Sequence, residues 1–85
     1  IRIIQEYNAS PGKSLISYIT THEKLRNEEK KLLEEAYQKA SVFELWNFPN
    51  INTGRKNAII FLKENYGLDQ KTCEVIVNDI SYNWL

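Results

Sequence analysis

Apolar residues recur every three or four positions along most of this chain, a spacing that places them on one face of an α-helix. The strongest run follows Asn27 and is rich in Glu, Lys, Leu and Ala, which favour helix. Thr21 or Asn27 can cap this helix, and Asn27 is favoured, with Glu28 and Glu29 in the first turn, where the helix dipole favours anions. Pro49 requires this helix to end at or before Phe48. Its predicted apolar face consists of Leu32, Leu33, Ala36, Tyr37, Ala40, Phe43 and Trp46.

A shorter helix is predicted upstream, after the turn-forming residues 8–13, with Ser10 as its cap and Pro11 at its first position. Residues 1–7 precede this turn and include strand-prone isoleucines, but their alternation is imperfect. They are predicted to form either a short N-terminal strand or an extended arm packed on a helical body. The apolar face of the upstream helix would consist of Leu15, Tyr18, Ile19 and His22.

Two further helices are predicted after the loop-forming segment 47–54. Thr53 can cap the first, Gly54 to Tyr66, and Gly67 fits the left-handed position that often follows a helix end. Asp69 then caps a last helix that runs towards the C-terminus. We therefore expect an all-α fold of about four helices in one domain, residues 1–85. The last helix has an apolar stripe of Cys73, Ile76, Val77, Ile80 and Trp84.

Residues 57–80 have the spacing of a helical hairpin, which DNA-binding helix-turn-helix proteins share. The second helix would read the DNA, yet it carries Asp69, Glu74 and Asp79 against Lys71 alone. Phosphates would repel such a helix, so simple packing of two helices is the favoured interpretation. The DNA-binding alternative would need phosphate contacts from Arg55, Lys56, Lys63 and Lys71.

The charge balance also argues against binding to nucleic acid. The 85 residues include 11 basic and 11 acidic side chains, whereas proteins that bind phosphates usually have a basic excess.

A single cysteine cannot form an internal disulfide, which favours a reducing compartment and predicts a cytoplasmic location. No apolar run reaches the roughly 18 residues of a membrane-spanning helix, so no membrane association is expected.

The sequence offers no set of residues for catalysis. "PGKS" at 11–14 resembles part of a phosphate-binding loop, but Tyr7 stands where the pattern requires a glycine. His22 is the only histidine and has no acid–base cluster near it in the sequence, and Cys73 lies on an apolar stripe that predicts an inert, buried thiol. No metal-ligand spacing is present. The sequence therefore predicts no enzyme activity, no catalytic residue, no metal and no cofactor.

The last two helices carry more apolar residues than one core face needs. Phe61, Val75 and Tyr82 point away from the predicted inner faces of their helices and form the candidate partner-binding residues. An ordinary core that covers these residues is the alternative. The predicted function is a non-catalytic protein–protein interaction or regulatory module that binds a protein partner or a second copy of itself as a dimer.

Overall fold

The computed structural model of the chain describes residues 2–8 and 13–82. Helices make up 74% of these residues, which include no strand, so the predicted all-α fold is confirmed. Four helices of seven residues or more share one hydrophobic core with two single-turn helices. In chain order the helices are α1 (Arg2–Gln5), α2 (Leu15–Thr21), α3 (Asn27–Ala40), α4 (Phe43–Trp46), α5 (Ile51–Tyr66) and α6 (Gln70–Ser81).

The N-terminal residues 2–8, here called the N-terminal arm, begin with a helical turn rather than the strand that the isoleucines suggested. Ile4 in this turn is fully buried, and α1 packs against α6. Gln5 Nε2 donates a hydrogen bond to Asp69 Oδ2 at 3.0 Å, and the Tyr18 hydroxyl donates to the Ile3 carbonyl at 2.9 Å. A lone strand would have no neighbouring strand to pair with among the described residues, whereas a helical turn bonds its own backbone.

Helix α2 begins at Leu15, and Ser14 is its cap. The Ser14 hydroxyl accepts the backbone N–H three residues further on at 3.1 Å. The predicted cap at Ser10 and Pro11 lies outside the described residues. Of the predicted inner face, Leu15 and Ile19 are fully buried, Tyr18 is half-buried, and His22 follows the end of the helix.

The cap of helix α3 lies one residue before the predicted cap, Asn27. Arg26 is the cap residue, and Asn27 is already helical. The side chain of Glu29 reaches back and accepts the Arg26 backbone N–H at 3.1 Å, as the acid three residues after the cap does in a capping box. Glu28 and Glu29 occupy the first turn as predicted.

The prediction that Phe43 and Trp46 extend the apolar face of this helix is wrong, because α3 ends at Ala40 and α4 is a separate helix. The buried Trp46 indole N–H donates to the Ala40 carbonyl at 2.7 Å, an oxygen that a continuing helix would bond to the backbone. The indole ring also lies on Gly54 of α5, where an added Cβ would stand 2.7 Å from a ring carbon. Packing of one tryptophan between two helices therefore turns the chain back after Ala40.

Helix α5 starts at Ile51, three residues before the predicted start at Gly54. Asn50 is the cap, and its side-chain oxygen accepts the Asn52 N–H at 2.9 Å. Thr53, the predicted cap, lies inside the first turn. An Asx cap was available upstream, and its geometry extends the helix by nearly one turn.

The connection from α5 to α6 matches its prediction. Helix α5 ends at Tyr66, and Gly67 follows with a φ of 61°. Asp69 caps α6 and accepts the Thr72 backbone N–H at 3.1 Å. Helix α6 contacts α1, α3 and α5, and eight of its residues are buried. Its predicted stripe is fully buried at Cys73, Ile76, Val77 and Ile80, while Trp84 lies outside the described residues.

Candidate functional site

A surface cleft, here called the basic cleft, opens where the N-terminal arm meets the last two helices. Its volume is about 570 Å³, within the range of roughly 300–1,000 Å³ that ligand pockets occupy. Lys71, Val75 and Asn78 of α6, with Tyr82 directly after its end, are spaced by four, three and four positions and therefore share one helical face. The lining residues are Gln5, Tyr7 and Asn8 of the arm, Ile51, Asn52 and Arg55 of α5, and Lys71, Val75, Asn78, Ser81 and Tyr82 of or beside α6.

Arg55 is the best-positioned charged group of the basic cleft. Its half-buried guanidinium donates to the Asn78 side-chain oxygen and, at 3.1 Å, to the Ser81 hydroxyl. Ser81 donates its own proton to the Asn78 carbonyl at 2.7 Å. Because a guanidinium only donates, the amide oxygen of Asn78 must face Arg55 and its N–H₂ group must face elsewhere. These bonds connect α5 to α6 and fix the direction of the guanidinium.

The electrostatic character of the basic cleft is positive. Arg55 and Lys71 line it, and no Asp or Glu belongs to its lining as far as the structure describes it. The first turn of α5 also lines the cleft, and the positive end of the helix dipole lies there. Asp69 at the start of α6 lies outside this lining, and its carboxylate accepts hydrogen bonds from Gln5 and Thr72.

The structure separates the three predicted partner-binding residues. Val75 and Tyr82 both line the basic cleft, but Val75 is only 7% exposed, whereas Tyr82 is 42% exposed. Phe61 is half-buried elsewhere on α5, and its ring meets the Tyr66 ring at 6.0 Å between centroids. Val75 therefore offers almost no area to a partner, because α6 is packed on more sides than the sequence suggested.

The four basic residues of the DNA-binding alternative are also divided. Arg55 and Lys71 meet in the basic cleft, while Lys56 and Lys63 are exposed outside its lining. The would-be recognition helix, α6, has exposed residues only in its first turn, at Gln70 and Lys71, and its other residues are half-buried or buried. A helix that enters the major groove needs a free face along several turns, and α6 uses its faces for packing.

The two side chains weighed for catalysis lie apart from the basic cleft. His22 accepts the Lys24 backbone N–H at 3.2 Å and packs edge-on against Tyr18. Cys73 is buried beside the Leu68 carbonyl, and burial raises the pKa of its thiol, with only a partial offset from the charge of Lys63. Within residues 2–8 and 13–82, no group of three His, Cys, Asp or Glu side chains could hold a metal ion.

A buried carboxylate supports one wall of the basic cleft. Asp79 is 6% exposed and accepts the Tyr7 hydroxyl at 3.1 Å and the Tyr37 hydroxyl at 2.6 Å. Burial, followed by the charge and hydrogen bond of Asp79, raises the pKa of Tyr7 to about 12. The sequence analysis counted Asp79 among the acids that would repel phosphates, although its position three residues after Ile76 on the apolar stripe was a signal of burial. The network fixes Tyr7, a lining residue of the cleft, to α3 and α6.

A second surface, the apolar segment of residues 42–48, was not predicted. Phe43 is 57% exposed, Phe48 45% and Val42 40%, whereas Trp46 between them is buried. The apolar periodicity predicted that Phe43 lies on the inner face of one continuous helix. Because α3 ends at Ala40 instead, the side chain of Phe43 is exposed. The other large exposed apolar residues of the described chain, Leu32, Ile60 and Tyr82, are scattered along three other helices or their ends.

Comparison with protein-family models, with curated proteins and with solved structures finds no match for this chain. No relative therefore assigns a role to any of its residues. None of the helices in the described ranges is long and apolar enough to cross a membrane. Within the described residues, the basic cleft and the apolar segment are two surfaces whose chemistry favours binding.

Proposed function

We propose that this domain is a non-catalytic interaction module that associates with a second copy of itself through the apolar segment. The observation that carries the proposal is the concentration of three large, exposed apolar side chains, Val42, Phe43 and Phe48, within seven consecutive residues. Single exposed apolar residues are ordinary on a protein surface, whereas clustered ones mark interaction sites.

The way in which the apolar segment is held favours binding. Trp46 fixes the segment through its hydrogen bond to Ala40 and its packing on Gly54. A segment that is already ordered loses little conformational entropy on association. Aromatic side chains such as Phe43 can then contribute most of the binding energy, because buried aromatic anchors dominate interfaces.

A second copy is the partner that the charge balance favours. The chain has a formal net charge of zero at pH 7, so two copies experience no net long-range repulsion. Two copies also present matching apolar segments, as the self-complementary interface of a symmetric dimer requires. The proposal includes a cytoplasmic location, supported by the single buried cysteine and testable by fractionation of the source cell.

Sedimentation velocity over a hundredfold range of protein concentration tests the proposal. The wild-type chain should shift from monomer towards dimer as concentration rises. Phe43→Ser should weaken this association about tenfold or more, which corresponds to 1.4 kcal/mol or more at an aromatic anchor.

Ile60→Ser is the matched control, because Ile60 is similarly exposed but lies on α5 outside the apolar segment. This variant should associate like the wild type. A strict monomer at every concentration, or an equal loss in both variants, would contradict the proposal. Thermal melts of both variants establish that each remains folded.

A further inference from the structure

We propose that the basic cleft binds a small organic anion that combines a phosphate or carboxylate group with an aromatic or apolar body. Arg55 and Lys71 would hold the charged group, and the side chains of Tyr82 and Ile51, which also line the cleft, would contact the body. This inference concerns a different surface from the apolar segment and does not depend on self-association.

The guanidinium of Arg55 is preorganised for binding an anion, because hydrogen bonds within the protein already orient it. Its two hydrogen bonds, to Asn78 and Ser81, use two of the five N–H groups of a guanidinium. The planar fork is therefore oriented while donors remain for another acceptor, and such a fork matches the geometry of carboxylate and phosphate oxygens. A fixed side chain also loses little entropy when it binds.

Further donors and positive charge converge on the same cavity. Asn78 lines the cleft, and its N–H₂ group, which faces away from Arg55, can donate to another acceptor. Lys71 lies two turns before Asn78 on the same face of α6, and the start of α5 adds the positive end of its dipole. Without an acidic side chain among the described lining residues, a cation would find no counter-charge there, whereas an anion would find two.

The remaining walls of the cleft suit an apolar or aromatic group. Tyr7, Tyr82, Ile51 and Val75 line it beside the polar residues. Tyr7 is held in place by Asp79, so this wall is as well fixed as Arg55. Pockets of this size usually combine apolar walls with a few placed polar groups that orient the ligand.

Titration of the wild-type chain with four probes, followed by ¹⁵N NMR, tests the class of ligand. Phenyl phosphate and benzoate carry the two candidate anionic groups on the same ring, phenol lacks the charge, and inorganic phosphate lacks the ring. One of the two aromatic anions should bind at least about tenfold more tightly than phenol and inorganic phosphate. The better of the two identifies the charged group. The side-chain signals of Arg55 and Asn78 should shift during that titration.

Two lysine variants test the location with net charge held equal. Lys71→Gln removes a cation that lines the cleft, whereas Lys63→Gln removes an exposed cation of the same hairpin outside the lining. We expect Lys71→Gln to weaken binding of the preferred probe several-fold more than Lys63→Gln. Arg55→Gln should abolish binding, with a thermal melt to establish that the variant is folded.

Three results would overturn the inference. The first is the absence of saturable binding by either aromatic anion. The second is equal binding of phenol, which would make charge irrelevant. The third is an equal effect of Lys63→Gln and Lys71→Gln, which would show only general attraction between the protein and an anion.

Discussion

The basic cleft and the apolar segment represent two ways in which a small helical domain can present a binding surface. In the cleft, polar groups such as Arg55 are held by hydrogen bonds and surround a cavity. In the apolar segment, one buried residue, Trp46, holds apolar neighbours out into solvent. The comparison indicates that each surface depends on a buried anchor behind it, Asp79 for a wall of the cleft and Trp46 for the segment.

The largest expected effect is on the anchor of the apolar segment. Trp46→Ala removes a buried aromatic ring and leaves the Ala40 carbonyl without its indole donor, so the free energy of unfolding should fall by about 3–5 kcal/mol. Phe43→Ala should change it by no more than about 0.5 kcal/mol, because Phe43 is largely exposed. Urea denaturation measures both values. Similar losses for the two variants would mean that Trp46 is not an anchor.

Asp79→Ala is the substitution that removes the buried anchor of the basic cleft, as Trp46→Ala removes that of the apolar segment. This substitution leaves the buried hydroxyls of Tyr7 and Tyr37 without their acceptor, and should cost about 1–3 kcal/mol. Adding Tyr7→Phe and Tyr37→Phe to the same chain should recover part of the loss, because removing all partners of a buried network costs less than removing one. Additive losses in the triple variant, measured by urea denaturation, would contradict the network.

A smaller effect should appear at alkaline pH. The pKa of Tyr7 is raised to about 12 in the folded chain, above the value near 10 of an unfolded tyrosine. The folded state therefore keeps this proton between about pH 10 and 12 while the unfolded state loses it, so stability is complete below pH 10 and falls as pH rises through that window. The decline contributed by Tyr7 is at most about 1.4 kcal/mol per pH unit.

Tyr7→Phe is the control for this pH dependence, since it removes the titrating group and retains the ring. Its free energy of unfolding should fall less steeply than that of the wild type above pH 10. Equal slopes for the two chains, obtained from urea denaturation at a series of pH values, would show that Tyr7 has an ordinary pKa.

Sulfate should weaken binding at the basic cleft and strengthen association through the apolar segment. We expect these changes in affinity to be the smallest of the predicted effects. This anion competes for Arg55 and Lys71 and should weaken binding of aromatic anions in the cleft. It also strengthens apolar association, because it is excluded from protein surfaces. Titrations and sedimentation in matched sulfate concentrations would reveal these changes. A common direction of change would mean that the surfaces do not differ as described.

Local chemistry explains why the connection between α5 and α6 was predictable. Gly67 adopts the positive φ that glycine favours, and Asp69 caps a backbone N–H only three residues away. Each signal lies within a few residues of the backbone that it controls. The inner stripe of α6 was equally readable, because its helical period is intact from Cys73 to Ile80.

The features that sequence reasoning missed depend on contacts between distant parts of the chain. The end of α3 is determined by Trp46, which meets Gly54 only after the chain has folded back. Asp79 is buried because Tyr7, 72 residues away in the sequence, supplies a hydroxyl. Val75 looked like surplus surface because the periodicity of one helix does not reveal which other helices will cover it. The basic cleft likewise combines residues from three segments. It brings together two of the three partner-binding candidates, Val75 and Tyr82, and two of the four basic candidates, Arg55 and Lys71.

The proposed contact between two apolar segments can be observed directly in a mixed sample of isotope-labelled and unlabelled chains. Isotope-filtered NOE spectra at a concentration where the chain associates should show intermolecular signals that involve the rings of Phe43 and Phe48. Signals confined to Tyr82 and other residues of the basic cleft, or no intermolecular signals from an associated sample at residues 42–48, would contradict the account.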